Sequence, residues 1–257
     1  MNETIKHQLA HRSIRFFKDE VISDAQLSTY FEVMRRTATS VGLQSYSAIR
    51  VTDPAKRAAL AEVANQAYLK DVPELVIFIV DCYRIHQIAK EKGHSTERTA
   101  TMDRFFQGAA DAYLAAQNLT NAIESDGLGA VYFGSILNDP AKIIEILELP
   151  QYTFPLVGVG FGVPDDHPEL KPRMSLDFIL GENGYPLHQN YVEALADFDD
   201  EMTHYYDTRQ RNQRSETYTN NVLKQLDRYN PKRAQMLQVV EAPDCRQSLL
   251  NHFFRVI

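Results

Sequence analysis

The stretch that most constrains the fold is L-V-I-F-I-V, residues Leu75–Val80, which lies between Glu74 and Asp81. A strand with one solvated face alternates apolar and polar residues, whereas an unbroken β-branched run is typical of a strand covered on both faces. The run is too short to cross a bilayer, which takes about 20 apolar residues in a helix. We therefore expect a central, buried strand with other elements packed on both faces of its sheet.

Helical and extended patterns follow one another along the rest of the chain. Apolar spacing predicts helices over residues 27–34, 54–64, 105–125 and 140–147, and strands over residues 46–51, 130–135 and 155–164. The connections are uneven and the last third is mostly helical, which favours a layered α+β fold over a doubly wound one. We expect a single domain over residues 1–257, with a polar helical C-terminal extension from about Tyr191.

The charge balance and the cysteine content exclude several classes of partner. The formal net charge is -7, whereas nucleic acids and anionic membranes attract a broadly basic surface, so we expect neither. The two cysteines, Cys82 and Cys245, are far apart and lack zinc-binding spacing, so we expect neither a disulfide framework nor a metal site. The first residues lack the apolar core of a signal peptide, and we expect a cytoplasmic protein.

A cationic cluster, H-R-S-I-R, stands near the N-terminus of this acidic chain. In an extended segment, residues two apart point to the same side, so His11, Ser13 and Arg15 share one face. Hydroxyl and cationic donors on one face suit a phosphate or another anion, because charge-assisted hydrogen bonds are the stronger kind. The same residues also suit a solvated loop whose cations pair with Asp19 and Glu20. The cluster alone leaves both interpretations open.

Two further segments offer donors to an anion. The proline of K-P-R disfavours helix at Lys171, so Lys171 and Arg173 are expected on one side of an extended chain, where two cations suit a phosphate. The segment Y-F-G-S, Tyr132–Ser135, ends a predicted strand in Gly-Ser, which exposes backbone N–H groups beside an aromatic ring. A solvated loop and an ordinary strand end are the respective alternatives, and both stay open.

Glycines and arginines later in the chain form two other patterns. A dinucleotide fingerprint needs its glycines in a turn that opens a helix, but G-V-G-F-G lies inside an apolar strand. We interpret those glycines as close packing of the strand against a helix or a ligand ring. In the tail, T-R-Q-R-N-Q-R is either a solvated helix face or an arginine segment for a nucleotide phosphate.

No nucleophile-and-base motif accompanies these anion-binding donors. Donors and glycines without acid–base machinery indicate that a bound cofactor does the chemistry.

Taken in order, these segments resemble the FMN-dependent nitroreductase superfamily. The motifs are H-R-S-I-R, T-S-V-G-L-Q-S-Y-S, N-Q-A-Y, V-Y-F-G-S and G-V-P-x-x-x-P-E-L-K-P-R. They are most similar to the oxygen-insensitive NADPH nitroreductases and NAD(P)H–flavin oxidoreductases, and the similarity runs from about Ile5 to Asn221. The resemblance implies an α+β fold with a mainly antiparallel central sheet wrapped by helices, in an intertwined homodimer with FMN at the interface.

The resemblance also implies which residues bind the cofactors. Those implied to bind FMN are His11, Arg12, Ser13, Arg15, Thr39, Gln66, Tyr68, Tyr132, Phe133, Gly134, Ser135, Lys171 and Arg173. Of these, the two basic residues of K-P-R would hold the phosphate together with His11 and Ser13. Arg15 would lie near the N1/O2 edge of the isoalloxazine, where a fixed cation stabilises the negative charge that two-electron reduction brings.

Two features of the resemblance concern the second substrate and the flavin ring. Arg209 and Arg214 are similar to arginines that grip the 2′-phosphate of NADPH in relatives. Many relatives carry Gly-Gly where this chain has Gly134-Ser135, a difference expected to alter the surroundings of flavin N5.

The implied activity is that of an FMN-dependent NAD(P)H oxidoreductase working by a ping-pong mechanism. NADPH, or NADH, would give a hydride to flavin N5, and a nitroaromatic, a quinone or a free flavin would then take two electrons. No side chain is implied as catalytic, since the flavin carries the hydride and Arg15 tunes it. The alternatives are a flavin reductase that supplies reduced FMN and, outside the enzymes, a protein that stores or senses FMN.

Overall fold

The computed structural model describes residues 1–208 and 216–236 of the chain. Its α-helices are α1 (Glu3–Leu9), α2 (Asp24–Arg35), α3 (Pro54–Ala64), α4 (Tyr83–Glu91), α5 (Met102–Ser125), α6 (Pro140–Ile146), α7 (Tyr191–Ala194), α8 (Ala196–Thr208), α9 (Tyr218–Leu226) and α10 (Pro231–Ala234). Its strands are β1 (Tyr46–Arg50), β2 (Glu74–Asp81), β3 (Gly129–Phe133) and β4 (Thr153–Gly162). The predicted helices and strands are confirmed, with ends that differ by a few residues.

The four strands form one antiparallel sheet in the order β1-β2-β4-β3. Strand β2 lies inside the sheet, and each of its residues is buried. The expected central strand and the expected α+β class are therefore confirmed.

The side chains of β2 divide between two apolar layers, because successive residues of a strand point to opposite faces. Val76, Phe78 and Val80 pack with buried residues of α2 and α5, whereas Leu75 and Ile77 pack with those of α3 and α6. Burying each of these side chains stabilises the fold by about 1.5–3 kcal/mol. The sheet is thus covered on both faces, as the unbroken apolar run predicts.

Side chains of the expected types fix the starts of the helices that cover the sheet. Ser23 and Gln26 form a capping box at α2. Asp53 caps α3, which has Pro54 in its first turn, and Thr101 caps α5. Helix α3 ends at Asn65, whose left-handed φ of 51° turns the chain into the next segment.

The three alternating glycines lie inside β4, so the rejection of a dinucleotide fingerprint is confirmed. Their expected partner, a helix or a ligand ring, is wrong. A Cβ on Gly160 would lie 2.7 Å from the Phe133 ring and 3.0 Å from Val72, and a Cβ on Gly162 would lie 2.5 Å from Pro73. The glycines therefore leave space for side chains of β3 and of the segment before β2.

The described residues divide into two compact units, Met1–Asp166 with the segment from Asn230 on, and His167–Tyr229. Within the second unit, Asp199 of α8 accepts hydrogen bonds from the backbone and the hydroxyl of Thr219. Helix α7 begins at Tyr191, where the sequence predicts the change to helix. The single-domain organisation stays a prediction. No helix of the described residues is long and apolar enough to span a membrane.

Candidate functional site

The H-R-S-I-R segment is anchored to the sheet through Ile14. Ser13 forms a parallel bridge with Ala130, and the Ile14 N–H donates to the Ala130 carbonyl at 2.9 Å. Ile14 is buried against Gly129, where a Cβ would lie 2.6 Å from its side chain. The residues on either side of Ile14 are half-buried, so the segment presents its polar side chains from a fixed backbone.

The cations of this segment do not pair with Asp19 or Glu20 in the described structure, and Lys18 is the residue that approaches Glu20, at 3.8 Å. The solvated-loop alternative, which predicts such pairs, is therefore disfavoured. Arg12 donates to the Ala10 carbonyl at 3.3 Å. The Arg15 guanidinium has no hydrogen bond or ion pair with any residue that the structure describes. A half-buried guanidinium without a protein partner is suited to an anionic ligand.

His11 has an acidic partner that lies far away in the sequence. Its Nδ1 atom lies 2.6 Å from Oε1 of Glu124, near the end of α5. The Glu124 side chain is 12% exposed and that of His11 is 31% exposed. This contact ties the N-terminal segment to α5.

Two segments that the sequence singled out separately are in contact. The Ser135 hydroxyl donates to Oε1 of Gln66 at 2.7 Å, and the rings of Tyr68 and Phe133 lie 5.6 Å apart. Gln66 opens a 3-10 turn, Ala67–Asp71, and Ser135 lies in the 3-10 turn that follows β3. The fold therefore brings the Gln-x-aromatic pair and the Y-F-G-S segment to one place.

Within Y-F-G-S, the two aromatic side chains are already engaged by the protein. The Tyr132 hydroxyl donates to Gln117 at 3.2 Å and accepts from Thr120 at 3.0 Å, both on α5. Burial raises the pKa of Tyr132; the Thr120 hydrogen bond opposes this and the charge of Glu124 adds to it. The Phe133 ring is fully buried, so its backbone is the part it can offer to a ligand.

Gly134 leaves room beside these residues. A Cβ at this position would meet no described atom within 4 Å. A ligand can therefore approach the Gly134 backbone from the side on which a Cβ would lie.

The loop that contains Thr39 is held by a buried carboxylate. Asp111 of α5 accepts from the Ser40 N–H at 2.7 Å and from the Ser45 N–H at 2.9 Å. Gly108 lets the loop approach the helix, since a Cβ there would lie 2.5 Å from the Ser45 carbonyl oxygen. Thr39 is half-buried, and none of the described contacts joins it to the other candidate residues.

The remaining candidates lie in the second unit or outside the described residues. Lys171 and Arg173 are exposed, and the Arg173 guanidinium donates to the Lys171 carbonyl at 2.9 Å. Arg209 and Arg214, predicted to bind NADPH, lie outside the described residues.

A cavity of about 610 Å³ is lined by residues of α2 and β1. The three arginines in its wall are already paired, Arg35 with Glu32, Arg50 with Glu74 and Arg84 with Asp81. None of the predicted site residues lines this cavity.

Family models match most of the chain. The model described as the nitroreductase family matches residues 9–163, which is more than half of the chain. The chain belongs to the nitroreductase family. A second model, the C-terminal domain of the nitroreductase family, matches residues 171–244. The resemblance inferred from the ordered motifs is confirmed.

Named relatives of this nitroreductase are similar over nearly their full length. The FMN reductase (NADPH) of Bacillus subtilis is 35% identical over 226 residues, covering 87% of this chain and 91% of that protein. The oxygen-insensitive NADPH nitroreductase of Salmonella typhimurium is 35% identical over 232 residues, covering 90% and 93%. The solved NADPH:FMN oxidoreductase of Vibrio harveyi, complexed with NAD⁺, has a TM-score of 0.81 and 33% identity, covering 93% and 98%.

Sequence reasoning missed two acidic residues of this nitroreductase, Asp111 and Glu124. Asp111 carries a usable signal, because a carboxylate that stands between the alanines of a core or interface helix needs hydrogen-bond donors. Glu124 carries no such signal, since it lies at the polar end of the helix and its partner is 113 residues away. Among the described residues, no group of three or more His, Cys, Asp and Glu could hold a metal ion.

Proposed function

We propose that this nitroreductase is an FMN-dependent NADPH oxidoreductase. The observation that carries the proposal is the convergence of Gln66 and Tyr68 with Phe133–Ser135, in a chain whose ordered motifs match those of the family. The relatives named FMN reductase (NADPH) and oxygen-insensitive NADPH nitroreductase support the same activity.

The residues present fit FMN in charge and in shape. The Arg15 guanidinium is a donor without a partner among the described residues, and Nε2 of His11 also has no partner there and donates when the ring is protonated. Gly134 leaves open space beside a buried aromatic wall. We assign FMN to the thirteen residues that the resemblance implies, with His11, Ser13, Lys171 and Arg173 at the phosphate. The chemistry that FMN supplies when bound is two-electron transfer from NADPH to a second substrate.

The protein's own part in this activity is to bind, to orient and to supply charge. The Ser135 hydroxyl donates to the amide oxygen of Gln66, so the NH₂ group of Gln66 is available to donate to a ligand. The buried Ile14 anchors the backbone next to Arg15. We assign the Arg15 cation to the edge of the flavin ring on which reduction would bring negative charge.

Purified protein tests the proposal directly. We expect yellow protein that binds FMN with one site per chain and oxidises NADPH only when an acceptor is present. Protein that neither carries nor binds FMN would contradict the proposal.

Arg15→Ala tests the role given to that cation. We expect the midpoint potential of the bound flavin to fall, because the reduced and more negative form loses a stabilising charge, while FMN affinity changes less. An unchanged potential would remove Arg15 from this role.

The acceptor class is proposed as nitroaromatics, quinones or flavins. A flavin reductase whose main product is reduced FMN is the second candidate, favoured by the name of the Bacillus subtilis relative. Competition among nitrofurazone, a quinone and free FMN at one NADPH concentration separates the two. A storage or sensor protein is excluded by rapid steady-state NADPH oxidation.

We assign the 2′-phosphate of NADPH to Arg209 and Arg214 on the strength of the resemblance. Replacing either with alanine should raise the KM for NADPH and leave that for NADH nearly unchanged. Equal effects on both nucleotides would disconnect these arginines from the 2′-phosphate.

We propose that the protein acts as a homodimer in the cytoplasm. Exposed apolar side chains share one stripe of α5, namely Phe106, Tyr113 and Leu114, which are spaced at helical intervals and 61%, 47% and 52% exposed. Such a stripe on a long helix is typical of a surface that another subunit covers. The two cysteines, Cys82 and Cys245, lie far apart in the sequence and form no disulfide framework pattern, which suits a reducing compartment.

A further inference from the structure

The Glu124 carboxylate lies in an unfavourable place for a negative charge. It is the residue before the last of α5, where the helix dipole presents its negative end, and its side chain is 12% exposed. A carboxylate that is both desolvated and close to carbonyl oxygens is stable only with a donor that compensates its charge.

His11 is that donor. Its Nδ1 atom lies 2.6 Å from Oε1 of Glu124, and no other described side chain hydrogen-bonds or ion-pairs with this carboxylate. The nearby Arg12 directs its guanidinium to the Ala10 carbonyl, and the Tyr132 hydroxyl donates to Gln117.

The chemistry of the pair determines the orientation of the imidazole. An ionised carboxylate only accepts hydrogen bonds, so Nδ1 of His11 must carry the hydrogen. The ring is then held with Nε2 on its far side, and Nε2 has no partner among the described residues. Nε2 donates to an anion only when it also carries a hydrogen, and the ring is then a cation that Glu124 stabilises.

We propose that Glu124 is a positioning residue for the cofactor phosphate and acts through His11. It holds the ring by Nδ1, directs Nε2 outward and balances the charge of the ring when Nε2 donates to the phosphate. This inference rests on the proposed function, because it takes the ligand of His11 to be the FMN phosphate. The arrangement is that of a carboxylate–histidine pair with a phosphate in place of a metal.

Two substitutions separate the orientation from the charge. Glu124→Gln keeps an oxygen that accepts from Nδ1 but removes the negative charge, and Glu124→Ala removes both. Glu145→Gln is the matched control, since Glu145 is exposed on α6 and pairs with Lys142. Each apoprotein is titrated with FMN and with riboflavin, which has the same ring system and no phosphate.

We expect Glu124→Gln to weaken FMN binding about fivefold and Glu124→Ala to weaken it tenfold or more, because a charge-assisted hydrogen bond is stronger than a neutral one by about 1 kcal/mol. Riboflavin affinity should change less than twofold in both variants, and the control should match the wild type. In a His11→Gln background, Glu124→Gln should have no further effect on FMN affinity, since Glu124 acts through the imidazole.

Equal weakening of FMN and riboflavin binding, or no change in either, overturns the inference while leaving the proposed function intact. Wild-type protein that binds neither flavin overturns the proposed function and the inference with it. Nitrogen-15 NMR of His11 in the wild-type apoprotein gives a readout that does not depend on the stability of any variant. We expect a hydrogen fixed on Nδ1, and an Nδ1 without hydrogen would contradict the inference.

Discussion

At the scale of single residues, two glycines of this nitroreductase meet opposite requirements. At Gly134 a Cβ would meet no described atom within 4 Å, whereas at Gly160 it would lie 2.7 Å from the Phe133 ring. The protein itself therefore needs a glycine at position 160, while at position 134 its own packing does not. We therefore expect any requirement for glycine at position 134 to come from a ligand that approaches the backbone from outside.

Gly134→Ala should leave the free energy of unfolding of the apoprotein within about 0.5 kcal/mol of the wild type, because the added methyl group meets no protein atom. It should weaken FMN binding at least about fivefold, because the methyl group takes space next to the ligand. Denaturant unfolding and FMN titration check the two halves of the expectation.

Gly160→Ala is the comparison variant and should behave in the opposite way, losing about 1–3 kcal/mol of stability through overpacking. If both variants lose stability equally, the distinction between the two glycines is wrong.

The sequence predicts the role of a side chain well where its hydrogen-bond partner is local, and poorly where the partner is far away in the chain. Ser23, Asp53 and Thr101 act on backbone groups within one helical turn, and such caps are predictable from short patterns. Asp111 binds Ser40 across 71 residues and Glu124 contacts His11 across 113. Contacts of that kind depend on where the fold places two distant segments, which no local pattern records.

At the scale of elements, α5 organises most of the candidate site. Its first half holds the loop of Thr39 through Asp111, its middle holds Tyr132 through Gln117 and Thr120, and its end holds His11. Helices α2, α3, α5 and α6 were predictable from apolar spacing, and so was the buried β2, whereas α1 and α4 were not predicted. The strand order β1-β2-β4-β3 was not, because pairing depends on contacts between segments far apart in the chain.

Asp111→Asn should destabilise the protein by about 1–3 kcal/mol, because the amide replaces one acceptor with a donor that faces a buried N–H group. We also expect faster hydrogen exchange at Ser40 and Ser45, which the carboxylate now holds. Asp103→Asn, an exposed change on the same helix, is the control. Unchanged exchange in Asp111→Asn would mean that the carboxylate does not hold the loop.

A hydrogen bond between Tyr30 of α2 and Asp126, the residue that follows α5, predicts a loss of stability at alkaline pH. Burial, the hydrogen bond to Asp126 and the charge of Asp126 raise the pKa of Tyr30 to about 12, above the value of about 10 in an unfolded chain. The unfolded state therefore loses the Tyr30 proton before the folded state does. The titration of Tyr30 therefore leaves the free energy of unfolding unchanged below pH 10. From pH 10 towards pH 12 it lowers that free energy by about 1.4 kcal/mol per pH unit.

Tyr30→Phe should remove the loss of stability that Tyr30 causes between pH 10 and 12. The variant also lacks the hydrogen bond to Asp126, so it should be less stable than the wild type at neutral pH. Tyr185→Phe, at a position 78% exposed, should leave the decline unchanged. Unfolding measured from pH 9 to 12 compares the three proteins. Parallel curves for Tyr30→Phe and the wild type would contradict the expected titration.

At the scale of the whole molecule, the described chain consists of two compact units, and the candidate residues are distributed between them. The ordered motifs were sufficient to predict the family, because each lies in one short segment and their order along the chain is specific. The proposed assembly is less accessible to sequence reasoning, since it assigns the partner subunit to a second face of α5, beside the face that packs in the core. The exposed stripe on α5 is visible only once the buried face is known.

Leu114→Glu should weaken the proposed dimer at least about tenfold, because it places a charge in an apolar surface that the second subunit covers. Sedimentation at several concentrations measures the change. Ile88→Glu on α4, at a position 54% exposed, is the control and should leave the dimer intact. A monomeric wild type at micromolar concentration would contradict the proposed homodimer.

The positions of Asp111 and Glu124 on one helix restrict insertions and deletions between them. The two carboxylates lie 13 residues apart on one continuous helix, which at 1.5 Å per residue separates them by about 20 Å. Inserting or deleting one residue between them turns one relative to the other by about 100° and moves His11 or the Thr39 loop out of register. Length changes among homologues should therefore collect in the connections between elements and be absent from this part of α5.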